Sequence, residues 1–110
     1  MNSVTSNAVA VAISKNSPDY ANKVLISNTT AQYSANYTAP KNGFITGAGW
    51  GTNSLDSYLY FATSNGVFIG MQGTSSETIS ATIPVRKGDV VAIQMRFADI
   101  NKGLFFIPCE

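Results

Sequence analysis

The side chains that could carry out chemistry in this 110-residue chain are few, and they lack the partners that catalysis needs. The sequence contains no histidine, which excludes Ser-His-Asp triads and imidazole metal sites. Cys109 is the single cysteine, so it has no histidine base to activate it and cannot form an internal disulfide. A glycosidase needs two facing carboxylates, and Asp56 and Asp99 could supply them, but both have simpler roles in turns. We therefore predict a protein that is not an enzyme.

Two further patterns could suggest a metal or phosphate site, and neither is sufficient. Gly47, Gly49 and Gly51 are a glycine-rich run, but the spacing differs from that of a phosphate-binding loop and no helix pattern follows. Asp99 and Asn101 could bind calcium, but two ligands are far too few. The sequence predicts no metal and no cofactor.

Uncharged polar loops are better candidates for function, because their amides and hydroxyls offer directional hydrogen bonds to a sugar or a protein surface. If every connection reverses the chain, the longer polar loops collect at one end of the domain, and Trp50 lies beside them as a flat apolar platform. The alternatives are ordinary solvated turns and a Trp50 that faces the core. The predicted ligand-binding residues are Trp50, Asn53, Ser54, Asp99 and Asn101.

The elements that position these residues are predicted to be short β-strands. In the stretch 77–97, two segments of alternating apolar and polar residues flank a turn at 84–89, which predicts a β-hairpin with one apolar face. Eight such segments at roughly ten-residue spacing predict an all-β fold, an antiparallel sandwich of jelly-roll type. The predicted strands are 20–27, 32–38, 43–50, 57–63, 67–71, 78–83, 90–98 and 104–107.

The N-terminal segment Val4–Ser14 is the one predicted helix, because it is rich in alanine and is preceded by residues that can cap a helix. Its alternation of valine and isoleucine with alanine also fits a strand, so that alternative stays open. The predicted organisation is a helical stalk or linker at 1–18 and a sandwich domain at 19–110.

Counting turns also predicts which connections share an end of the sandwich. One end collects the turns at 40–42, 64–66 and 85–87 together with the arrival of the N-terminal segment. The opposite end collects the loops at 28–30, 52–54, 72–76 and 99–102. The predicted ligand site therefore lies at the end farther from the stalk.

Several strands are apolar on both faces, which a small two-layer sandwich cannot bury by itself. The N-terminal segment could cover one such face, but a short Ala/Val segment is too small for several strands. We therefore predict an interface between identical subunits. The predicted interface residues are Tyr58, Tyr60, Phe105, Ile107, Val9 and Ile13.

Composition limits the partners. Charged residues make up only 12% of the chain and the formal net charge is +1, which predicts no binding to nucleic acid. No basic stretch followed by an apolar run begins the sequence, so we predict no signal peptide. No run of about 18 apolar residues occurs, so we predict no membrane insertion.

Three short motifs resemble segments of bacteriophage tail proteins. VTSNAV at 4–9 resembles a segment that recurs in tail-fibre and other tail-associated proteins, often just before a C-terminal domain. YTAPKNGF at 37–44 and IPVRKGDV at 83–90 look like motifs of the C-terminal jelly rolls of such proteins, which are similar in fold to tumour-necrosis-factor and complement-type trimers. The matched stretches cover about a fifth of the chain.

This resemblance implies the homotrimeric tip of a tail fibre in the virion, held on its N-terminal side, which recognises a glycan or protein on the bacterial surface. It transfers no individual binding residues, because the motifs lie in framework strands and turns. The alternatives are a structural cap that drives trimerisation without a ligand and, more remotely, a polysaccharide depolymerase.

Overall fold

The computed structural model of the protein describes residues 17–30, 32–50, 57–73, 77–97 and 99–110, with the backbone alone at 99–102. These residues form two four-stranded antiparallel sheets, so the predicted all-β sandwich is confirmed. The helix predicted at Val4–Ser14 lies outside the described residues. The elements are a 3-10 turn, Tyr20–Asn22, and the strands β1 Val24–Ser27, β2 Tyr33–Thr38, β3 Gly43–Trp50, β4 Ser57–Thr63, β5 Phe68–Gly73, β6 Thr78–Val85, β7 Val90–Arg96 and β8 Asp99–Pro108.

The first sheet has the strand order β1-β8-β3-β6, and the second sheet has the order β2-β7-β4-β5. Every neighbouring pair is antiparallel. Long-range pairs therefore dominate: β1 pairs with the last strand, and β2 pairs with the strand before it. Among the strands of the described residues, only β4 and β5 are both consecutive in sequence and paired.

The hairpin predicted over 77–97 is wrong, because β6 belongs to the first sheet and β7 to the second. The alternation within each strand predicts its buried face: Ile79 and Ile83 are buried on β6, and Ile93 and Met95 are buried on β7. Both apolar faces point into the same core from opposite sheets. The turn at 86–89 therefore carries the chain across the sandwich, since alternation reports which face is apolar and not which strand is the neighbour.

The core lies between the two sheets and is made from the inward faces of β3, β4, β6, β7 and β8. Three fully buried phenylalanines, Phe61, Phe97 and Phe106, are its largest side chains. Burying each such side chain stabilises the fold by roughly 1.5–3 kcal/mol. The other core residues are Ala39, Ile45, Leu59, Ile79, Ala81, Ile83, Val85, Val91, Ile93, Met95 and Leu104.

Strand β3 presents its large aromatic residues to the outside. Phe44, Ala48 and Trp50 share a face, as their spacing predicts, but that face is the half-buried outer one, so an inward-facing Trp50 is wrong. On the inner face, Gly47 contributes no side chain, and Leu59 and Leu104 lie against the position its side chain would occupy. The core is filled from the neighbouring strands, which leaves the β3 aromatics on the outer surface.

The turns at 40–42, 64–66 and 85–87 lie at one end of the sandwich, as predicted. The backbone N–H of Lys87 donates to Asn42 Oδ1 at 2.9 Å, which joins two turns at one end. Pro18 forms a bridge with Cys109 at that same end, so the chain enters the sandwich there. Three boundaries differ most: residues 20–22, predicted as strand, form a 3-10 turn, residues 72–73, predicted as loop, end β5, and residues 99–102, predicted as loop, begin β8.

Candidate functional site

The predicted ligand-binding residues are only partly covered by the described structure. Trp50 is half-buried at the end of β3, on the outer face of the first sheet. The backbone of Asp99 lies opposite Trp50 in the ladder, so the fold brings these two positions together. Asn101 follows on β8, whereas Asn53 and Ser54 lie outside the described residues. Of the five predicted residues, Trp50 is the one whose side chain the structure describes, and it lies on a surface. Its role in ligand binding stays a prediction.

The predicted interface residues lie on two opposite surfaces of the sandwich. Phe105 and Ile107 lie on the outer face of the first sheet, opposite Thr46 and Phe44 on β3. Tyr58 and Tyr60 lie on the outer face of the second sheet, while Val9 and Ile13 fall outside the described residues. One flat contact therefore cannot use all of them.

The outer face of the first sheet, called here the first-sheet face, is apolar along β8 and carries Thr78, Ser80 and Thr82 on β6. Leu25 is 51% exposed beside Phe105, and Tyr20 is 64% exposed above the sheet. Lys23 Nζ lies 5.8 Å from the centroid of the Phe105 ring, within reach of a cation–π contact. A cavity of about 260 Å³ opens on this face, and its lining residues are Pro18, Tyr20, Phe44, Thr46, Thr82 and Ile107.

A second apolar surface lies along β5, the last strand of the second sheet, and is called here the β5 edge. Val67, just before the strand, is 49% exposed, and Met71 is 46% exposed. Strand β5 pairs with β4 on one side, and no described strand pairs with its other side. A cavity of about 390 Å³ opens beside it, lined by apolar residues of β5 and β6 and by the polar groups of the two adjacent turns.

Three aromatic rings form an offset stack on the outer face of the second sheet. The rings of Tyr58 and Tyr60 lie 5.3 Å apart between centroids with an interplanar angle of 14°. The ring of Phe68, from β5, lies 5.4 Å from that of Tyr60 at 30°. Gly70 lies opposite Tyr60, and a Cβ there would overlap the tyrosine ring. Because Gly70 has no side chain, the Tyr60 ring can pack flat against β5.

Glutamine amides flank this stack and fix the phenol groups. Gln32 Nε2 donates to Tyr58 Oη at 3.1 Å, and Tyr60 Oη donates to Gln72 Oε1 at 3.3 Å. Gln94, on β7, lies directly opposite Tyr60 in the ladder. Each of the two bonds occupies only part of an amide's hydrogen-bonding capacity, so the face offers further donors and acceptors next to aromatic rings.

Titratable chemistry is sparse in the part of the chain that the structure describes. Burial raises the pKa of the Tyr37 phenol, which packs beside the Phe106 ring at 5.8 Å between centroids. Ser57 is fully buried, and its Oγ has no hydrogen-bond partner among the described residues. Those residues contain no group of three or more His, Cys, Asp or Glu side chains that could hold a metal, and no helix among them has the length and hydrophobicity to cross a membrane. The surfaces can bind by packing, stacking and hydrogen bonding.

Comparison with known proteins assigns no family: no protein-family model matches this chain, and no curated protein matches it significantly.

Sequence reasoning missed how the aromatic stack is assembled. The alternation of Tyr58 and Tyr60 on one face was visible in the sequence, but their neighbours Phe68, Gly70 and Gln72 come from β5. The tight turn at 64–66 between the two strands could have indicated this pairing, because a short connection makes consecutive strands antiparallel neighbours. Gln32 lies 26 residues from Tyr58 and carries no such signal.

Proposed function

We propose that this chain is the trimeric head of a phage tail fibre or receptor-binding protein, a non-enzymatic module that attaches to the surface of a bacterium. The observation that supports it most is that one protomer carries two different exposed apolar surfaces, the first-sheet face and the β5 edge. Exposed apolar surface of this kind marks interaction sites in soluble proteins.

The sandwich belongs to the jelly-roll type in this proposal, and the strand pairing supports that assignment. The pairs β1–β8, β2–β7, β3–β6 and β4–β5 are nested inside one another. Such nesting results when one long hairpin, with β4 and β5 at its tip, is rolled into two sheets. Eight strands in two sheets is the jelly-roll architecture.

Two different surfaces favour a ring of subunits over a two-fold dimer. A two-fold interface uses the same patch on both partners, whereas a contact between unlike patches leaves one of each patch free and closes only as a ring. In the proposed assembly, the β5 edge of one subunit packs on the first-sheet face of the next. The number three comes from the resemblance of VTSNAV and the two strand motifs to trimeric tail proteins.

A ring of identical heads suits adsorption to a bacterial surface. Each subunit presents the same binding surface, so weak individual contacts with a repetitive cell surface add up through the shared geometry. The chain is nearly uncharged overall, with a formal net charge of +1, which favours recognition by hydrogen bonds and stacking over long-range electrostatic attraction.

Light scattering of the purified protein tests the assembly. The expected mass is three times the 11.7 kDa of one chain, and a monodisperse monomer would contradict the proposal. Labelled protein applied to a panel of bacterial strains then tests adsorption by flow cytometry. A trimer that binds none of the strains in the panel would favour the structural cap instead.

A further inference from the structure

We infer that the outer face of the second sheet is the ligand-binding surface and that its ligand is a neutral glycan, which stacks on the rings of Tyr58, Tyr60 and Phe68. This inference rests on the proposed role in adsorption and moves the ligand site from the distal loops to a sheet face. The face is called here the tyrosine face.

The geometry of the rings suits a sugar. Sugar rings bind proteins by laying an apolar C–H face on an aromatic ring while hydrogen bonds reach their hydroxyl groups. Centroid separations of 5.3 and 5.4 Å extend the aromatic surface over three residues of two strands. Phe68 is 66% exposed, so the open end of the stack is accessible to a ligand.

The polar groups around the rings are already oriented. Bonds from Gln32 to Tyr58 and from Tyr60 to Gln72 hold both phenols and both amides in place before a ligand arrives. Such preorganisation reduces the ordering cost of binding. The remaining amide groups can donate to and accept from hydroxyls, which themselves act as both donor and acceptor.

The charge of the face selects the ligand class. Among its described residues Arg96 carries the only charge, and the polar neighbours on β2 and β7 are Ser34, Asn36, Thr38 and Gln94. A face without a cluster of basic or acidic groups complements a ligand that is rich in hydroxyls and poor in charge. Exposed Tyr20 and Leu25 on the first-sheet face, and Val67 and Met71 on the β5 edge, suit contact with another subunit.

The test uses an array of purified bacterial lipopolysaccharides and capsular polysaccharides as the probe. We expect the wild-type protein to bind at least one of them. The variant Y58A/Y60A should bind about tenfold more weakly, because it loses two stacking contacts that are each worth roughly a factor of two to ten. Gln72→Ala removes a hydrogen-bonding group without touching the core and should also weaken binding. Ser64→Ala removes an exposed hydroxyl in the β4–β5 turn, outside the tyrosine face, so it is the matched control and should bind normally.

Other outcomes overturn the inference. Equal binding by the wild type, Y58A/Y60A and Gln72→Ala, with loss in W50A/N53A/N101A, would place the site in the distal loops. Protein that binds cells only through a protease-sensitive receptor, and no polysaccharide on the array, would make the ligand a protein. Loss of the oligomer in Gln72→Ala and Y58A/Y60A would make the face a subunit interface. The oligomeric mass of the wild type is measured separately, so failure of the trimer and failure of the glycan site are distinguishable.

Discussion

At the scale of single residues, the least expected feature of the core is a polar atom without a partner. Ser57 is 0% exposed, and the structure provides no hydrogen-bond partner for its Oγ among the described residues. Burying a hydroxyl without a hydrogen bond costs free energy, because the hydrogen bonds that it makes with water in the unfolded chain are not replaced. The position lies at the start of β4, next to Gly73 on β5.

Replacing this hydroxyl should stabilise the protein. We expect Ser57→Ala to raise the free energy of unfolding by about 1 kcal/mol, since it removes the desolvated group and leaves almost no cavity. Thermal unfolding at a fixed protein concentration measures the change. Ser34→Ala, on the exposed face of β2, is the control and should leave the melting temperature nearly unchanged. A lower melting temperature for Ser57→Ala would mean that the hydroxyl has a partner in the native state.

The half-buried phenol of Tyr37 should make stability depend on alkaline pH. Its pKa is raised by desolvation above the ordinary value of 10.0, so the folded state favours the neutral phenol. The contribution is fully present below pH 10 and is lost as the pH rises from there through the folded pKa, because the unfolded chain ionises first. Urea unfolding at pH 9 and pH 11 should show a larger loss for the wild type than for Tyr37→Phe. Identical losses would show that Tyr37 does not contribute.

At the scale of elements, hydrogen bonds within its turn stabilise the connection that leads from β6 in the first sheet to β7 in the second. The carboxylate of Asp89 accepts from the N–H of Arg86 at 2.8 Å, and Gly88 has φ of +89°, a conformation that glycine adopts without strain. Asn42 accepts from Lys87 at 2.9 Å and ties this turn to the β2–β3 connection. The side chain thus joins two of the connections that lead from one sheet to the other.

Loss of the hydrogen bond between Asn42 and Lys87 should lower the stability of the sandwich modestly. We expect Asn42→Ala to lower the free energy of unfolding by about 1 kcal/mol, since the N–H of Lys87 loses its acceptor. Asn65→Ala is the matched control, because Asn65 is exposed in the β4–β5 turn at the same end and its side chain forms no hydrogen bond with another described residue. Denaturant unfolding of both variants measures the difference. Equal stability of the two variants would show that the turn does not need the Asn42 contact.

At the scale of the whole molecule, the proposed ring depends on contact between unlike surfaces. Phe105 lies on the first-sheet face, and Met71 lies on the β5 edge of the same protomer. A heterologous contact has one such surface from each partner. This arrangement makes a specific prediction about mixtures of variants.

We expect Phe105→Glu and Met71→Glu each to give folded monomers, because either charge would be buried without a partner in the contact. Mixing the two variants should produce a one-to-one dimer, since each pair of unlike variants retains one intact contact and cannot close a ring. Light scattering measures the masses, and circular dichroism checks the fold. Thr38→Glu adds the same charge outside both surfaces and should remain trimeric. Mixtures that stay monomeric would contradict the heterologous contact.

The sequence by itself determined where most strands lie and which residues of β6 and β7 are buried. The alternation in β6 and β7 identified Ile79, Ile83, Ile93 and Met95 as one buried set, because a side chain on a strand has only two faces to occupy. The turns rich in Gly, Asn and Pro marked where strands end. Counting the turns at which the chain reverses direction predicts that the turns at 40–42 and 85–87 share one end of the sandwich. Asn42 contacts Lys87 there.

Only the tertiary structure decided which strands pair and which apolar face is inside. Strands β6 and β7 looked like a hairpin and lie in different sheets, because pairing depends on partners far away in the sequence. Strand β3 has apolar residues on both sides, and the packing of Leu59 and Leu104 against Gly47 leaves Phe44 and Trp50 outside. The tyrosine face exists only where β4 and β5 lie side by side with Gln32 of a distant segment. Alternation is a local property of the chain, whereas a surface is assembled from strands that the chain brings together over long separations.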